Sequence, residues 1–116
     1  YYVNTQNTIN PLLPANSFLD KVLEDLEHAE QLLAADAIIT NGVTSVGATT
    51  AENFVTADRN YRLNYYAVLG LKARAYLYRG DKVNALKYAN LVIDVADKFK
   101  WTTSANALSE KQNPAE

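Results

Sequence analysis

An all-α fold is what this sequence predicts, and three observations carry the prediction. Between Tyr61 and Lys98, Tyr66, Leu69, Gly70, Ala73, Tyr76 and Leu77 recur at three and four residues, and Val83, Ala85, Leu86, Ala89, Val92, Ile93 and Ala96 continue the pattern. That is the period that lines one face of a helix. Gly80 and Asp81 separate the two runs: glycine takes the left-handed conformation that ends a helix, and aspartate accepts from the free N–H groups that begin the next. So short a turn folds the two helices back antiparallel. Upstream, Phe18, Leu19, Val22, Leu23, Leu26, Ala29, Leu32 and Leu33 make a third stripe. The expected architecture is a helical hairpin over 59–79 and 82–98, one long helix before it over 17–35, and a long irregular loop over 36–58 between them.

Taken in order, residues 1–16 place Pro11 and Pro14 among Asn and Thr and read as an extended lead-in. Ser17 is expected to cap the first helix, with Asp20 three residues on as a weakened capping box. Its wet face holds Asp20, Lys21, Glu24, Asp25, Glu27 and Gln31, and the helix is expected to end near Ala35. From Ile38 to Thr50 there is no charge, and Asn41-Gly42 between Ile39-Thr40 and Val43-Thr44 is a strong short signal for a β-hairpin. A structureless connection of about 20 residues is uncommon in a compact domain, so this loop is expected to be a contact surface or to be pinned by other parts of a larger protein. Inside the first hairpin helix, Gly70 costs about 1 kcal/mol relative to alanine. The row Ala67, Gly70, Ala73 gives a reason for it: a small-residue strip against which another helix packs closely, so that Gly70→Leu is expected to destabilise strongly. Residues 99–116 form the tail, where Trp101 is expected to fold back onto the bundle rather than to hold a ligand.

Length and charge narrow the functions. At 116 residues the chain is one domain at most. A net charge of -2 and the lack of a basic patch argue against nucleic acid as partner. The absence of cysteine removes a disulfide framework and a thiolate metal site. Gly42 and Gly47 make no phosphate loop, because no Lys-Ser/Thr follows them. Catalysis lacks a candidate: the single histidine, His28, sits among carboxylates expected to be solvated, and no pair of acids is placed across a bond. No catalytic, cofactor-binding or metal-binding residue is assigned, and no cofactor is expected. Tyr66, Tyr76 and Phe99 fall on core faces, while Tyr61, Tyr65, Tyr78, Tyr88 and Trp101 are left as surface rings. A chain that opens on Tyr-Tyr and closes on Asn-Pro-Ala-Glu reads as a piece of a longer protein.

Two resemblances sharpen this. Ala73 to Asp81, ARAYLYRGD, followed by Ala85-Leu86, resembles the core of a tetratricopeptide unit: a small residue, an aromatic three positions on, glycine at the turn, alanine on the second helix. The helix Ser17–Leu33, then a variable loop, then Asn64–Lys82 with Ala85–Ala89 and Val92–Asp94, is similar in order and spacing to the SusD/RagB family. That resemblance implies a lipid-anchored surface protein of a Bacteroidetes-type outer membrane. Such a protein binds nutrient oligosaccharides or peptides without cleaving them, and delivers them to a SusC-like TonB-dependent porin. This chain would be its helical scaffold, touching the membrane only through an anchor outside it. No binding residue of the family is carried onto a position here, so the ligand site is unassigned. A free-standing tetratricopeptide-like interaction module is the alternative, disfavoured because Ser17–Ala35 does not repeat the Ala73–Gly80 pattern.

Overall fold

The computed structural model describes residues 12–42, 59 and 62–99. They are all-helical: α1 spans Ala15–Leu32, α2 Ala37–Asn41, α3 Tyr65–Arg79 and α4 Lys82–Ile93, and a 3-10 turn follows at Ala96–Lys98. The central helix is α3, with α1 packed on one face and α4 folded back antiparallel along another.

The turn between α3 and α4 is built as its sequence predicts. Gly80 adopts φ 84°, its N–H donating to the Leu77 carbonyl and the Asp81 N–H to the Tyr76 carbonyl, which closes α3 with a left-handed cap. Asp81 then accepts from the Asn84 N–H and opens α4. At the other end of α3, the Asn64 side chain accepts from the Ala67 N–H at 3.0 Å.

Several boundaries differ from expectation. α1 begins at Ala15, not Ser17, because the Pro14 carbonyl already accepts from the Phe18 N–H at 2.9 Å and no side chain caps the end. It stops at Leu32, where turn hydrogen bonds from Leu33, Ala34 and Asp36 unwind the chain. α3 starts at Tyr65, not 59, because Asn64 takes the cap and Arg59 is held elsewhere. α4 ends at Ile93, short of 98, the remainder tightening into the 3-10 turn.

The stretch expected as loop over 36–58 contains α2. Asn41-Gly42 is not a hairpin turn: Asn41 is the last residue of that helix and Gly42, at φ 70°, is its cap. Asp36 starts the helix by accepting from the Ile38 N–H, and Ile38 is completely buried. Burial of that one side chain outweighs the local strand preference of the Ile and Thr residues. The strand expected at Val43-Thr44 lies outside the described residues.

The core lies between α2, α3 and α4, where Ile38, Tyr66, Leu69 and Tyr88 pack together with Tyr76, Val92 and Phe99 at the edge. Tyr76 and Tyr88 stack, centroids 5.5 Å apart and planes 5° from parallel, and Tyr66 meets Phe99 edge to face at 5.7 Å. Tyr88, read from sequence as a surface ring, is therefore a core residue. Val83, Leu86, Ile93 and Leu77, read as core, are exposed, as are Phe18 and Leu32 of α1. Gly70 is corrected too: a Cβ added there meets no atom within 4 Å, so the small-residue strip has no helix against it among the described residues.

Candidate functional site

Three features hold the chemistry of this fold. The first is Lys72, from the middle of α3, whose side chain is fully buried. Its position is fixed by helical spacing: Val68, Lys72 and Ala75 share the α3 face turned toward α1, and all three are buried. The ammonium donates to Glu27 Oε2 and Glu30 Oε2 of α1, each at 2.5 Å, and lies 4.3 Å from the centroid of the Tyr88 ring of α4. A buried cation needs such partners, since desolvation alone would drive off its proton. Here burial pushes the lysine down, but the two carboxylates outweigh it and hold its pKa above the ordinary value. The hydrogen bond and charge of Lys72 in turn hold the Glu27 carboxyl below its usual range. The ammonium is locked in its charged form, the reverse of what an amine nucleophile requires.

About two turns toward the α3 C-terminus, Arg79 meets Asp20 of α1 at 2.6 Å on the surface. Asp20 and Glu27 are exposed, as the periodicity suggests, at 55% and 52% of their side chains, yet each also bonds a cation of α3. His28 is on the surface as expected.

The second feature is a clasp at Asp36. One carboxylate oxygen accepts from the Ile38 N–H and from Arg59 Nε, the other from Arg59 NH2 and from the Tyr65 N–H. Burial raises the Asp36 pKa, yet the guanidinium and the two N–H groups outweigh that and leave it low. Arg59 also donates to the Leu63 carbonyl, and its own carbonyl accepts from the Asn64 side chain. One carboxylate thus ties the start of α2, the start of α3 and Arg59 together. Sequence reading assigned Asp36 and Arg59 no part; a carboxylate followed by Ala-Ile-Ile was the available signal for a cap.

The third feature is an apolar groove of about 390 Å³ at the α3 N-terminus and the α4 C-terminus, lined by Asn64, Tyr66, Ala67, Val92, Ile93, Ala96 and Phe99. Among the rings left as surface candidates, Tyr78 is exposed and Tyr65 half-buried; Tyr61 and Trp101 lie outside the described residues. Among the described residues no group of three His, Asp or Glu is arranged to hold a metal, and no helix is long and apolar enough to cross a membrane. Compared with protein families, curated proteins and solved structures, the chain matches none.

The arrangement is suited to rigidity. The buried Lys72 ammonium and Asp36 carboxylate are consumed in joining helices, and the groove at the end of the hairpin is apolar.

Proposed function

We propose that this chain is a helical scaffold within a SusD/RagB-like surface lipoprotein, which binds nutrient glycans or peptides and passes them to a TonB-dependent outer-membrane porin. The observation that carries the scaffold reading is the Lys72 junction. A charged group that in an enzyme would be poised over a cleft is here sealed between Glu27, Glu30 and Tyr88 and ties three helices together. Support for the family reading is the sequence resemblance: an acidic helix, an intervening segment, then a hairpin turning at Gly80-Asp81. On this reading the chain itself binds and orients partners without cleaving substrate.

The test is fractionation of cells expressing the complete reading frame with an epitope tag, under palmitate labelling and surface protease treatment. Labelled, protease-accessible protein that co-purifies with a large outer-membrane porin supports the proposal. Unlabelled protein in the soluble fraction overturns it. A second reading, a tetratricopeptide-like interaction module, is favoured by one observation: Leu77, Leu86 and Ile93 are exposed on the hairpin.

A further inference from the structure

The side of the hairpin turned away from α1 is unpartnered among the described residues. On α3 it presents Gly70, Arg74 and Leu77, spaced by four and three; on the neighbouring α4 it presents Lys82, Leu86 and Ile93. Leu77, Leu86 and Ile93 are each more than 60% exposed, at 62%, 62% and 64%. A side chain added at Gly70 would point into open space. At the Ile93 end the surface runs into the apolar groove of about 390 Å³. Such a strip of two leucines and an isoleucine around a glycine notch is the shape into which a helix lays its apolar edge.

The hairpin already shows what kind of helix it takes. From Tyr65 to Ile93 it carries Lys72, Arg74, Arg79, Lys82 and Lys87 against the single carboxylate of Asp81, while α1 carries Asp20, Glu24, Asp25, Glu27 and Glu30 against Lys21. α1 docks by placing Glu27 and Glu30 on Lys72 and Asp20 on Arg79. Arg74 and Lys82, on the other side, are exposed and make no ion pair among the described residues. The second side is also cationic but arranged differently: where the first seats Lys72 at its centre, this one has an apolar centre in Leu77, Leu86 and Ile93 with Arg74 and Lys82 exposed beside it.

We propose that this side of the α3–α4 hairpin docks an acidic amphipathic helix of a partner protein. Its apolar edge lies over Gly70 between Leu77, Leu86 and Ile93, and its carboxylates pair with Arg74 and Lys82. The cationic rim selects acidic over basic helices and sets their register, while the leucines supply the area removed from water. This goes beyond the scaffold reading and holds whichever larger protein the scaffold serves.

The test uses a fluorescein-labelled synthetic peptide of sequence Ala15–Leu32, an acidic amphipathic helix already matched to this hairpin, titrated into the full chain and followed by anisotropy. A control peptide has its five carboxylates replaced by amides. Binding of the acidic peptide is expected to weaken about tenfold or more for the amide peptide, for Arg74→Glu/Lys82→Glu and for Leu77→Asp/Leu86→Asp. Gly70→Phe, which fills the notch at a position with open space, is expected to do the same. Thermal midpoints of all three variants should stay near that of the parent chain. No binding at about 1 mM peptide, equal binding of the amide peptide, or equal binding by the variants overturns the proposal. So does loss of binding in Lys72→Met alone, which would mean that the peptide only exchanges with α1. A self-associated chain by sedimentation that dissociates on Leu86→Asp would assign the face to a second copy and likewise overturn it.

Discussion

Lys72 Nζ stands 4.3 Å from the centre of the Tyr88 ring, and the same ammonium is bonded to Glu27 and Glu30. One side chain of α3 therefore touches both helices that flank it. The face of α1 that meets α3 carries charge in its middle, with Leu23 the one buried residue of α1, so the docking of α1 depends on polar complementarity more than on area.

Removing the carboxylates should hurt more than removing the lysine. Glu27→Gln/Glu30→Gln leaves an ammonium buried without a counter-charge, and a loss of about 3 kcal/mol is expected. Lys72→Met keeps the volume and leaves two carboxylates that reach water, with an expected loss of about 1 kcal/mol. Urea denaturation followed by circular dichroism measures both, and equal losses would show that Lys72 is not sealed.

The pH dependence follows from the directions of the shifts. Glu27 and Asp36 titrate below their ordinary values in the folded chain. Their contribution is present in full above about pH 5 and is lost as the pH falls through their folded pKa values. Lys72 titrates above its ordinary value, so its contribution is complete below about pH 9.5 and is lost as the pH rises through the folded pKa. Melting temperature should be flat between those limits and fall on both sides. In Lys72→Met the acid limb should become shallower, and an unchanged limb would remove Glu27 from the account.

Asp36→Ala is expected to be the costliest single capping change, about 3 kcal/mol, because it strands the buried Arg59 guanidinium and the Tyr65 and Ile38 N–H groups together. Asp81→Ala, an ordinary cap on an exposed turn, should cost clearly less. Amide exchange locates the damage: Asp36→Ala should speed exchange in α2 and the first turn of α3, and Asp81→Ala only in α4.

Two glycines should respond to alanine with opposite signs. Gly70 is in regular helix with open space beside it, so Gly70→Ala is expected to stabilise by about 0.5–1 kcal/mol. Gly80 sits at φ 84°, and Gly80→Ala should cost about 1 kcal/mol from backbone strain alone, with no atom near enough to clash. Denaturation midpoints shifting the same way for both would contradict the geometry.

The sequence by itself determined α1, α3, α4 and the turn between the last two, while α2 reads locally as loop and strand. The 3.6-residue recurrence and the Gly80-Asp81 cap are local, fixed by steric and hydrogen-bonding rules that act within a few residues, and all-α followed from them. It did not determine which face of each helix is covered. Periodicity gives a stripe, and only packing chooses the partner: α4 turns Ala85 and Tyr88 inward and leaves Val83, Leu86 and Ile93 out, although the stripe includes those three and omits Tyr88. Nor was the role of charge legible. Lys72 reads as surface in any one-dimensional pattern, and it becomes the buried junction only because Glu27 and Glu30, 45 and 42 residues away, arrive beside it. The same holds for Asp36, whose partners Arg59 and Tyr65 lie 23 and 29 residues on. Pairings across such separations depend on the three-dimensional path of the chain, which is why tertiary structure decided the junction, the clasp and the open face.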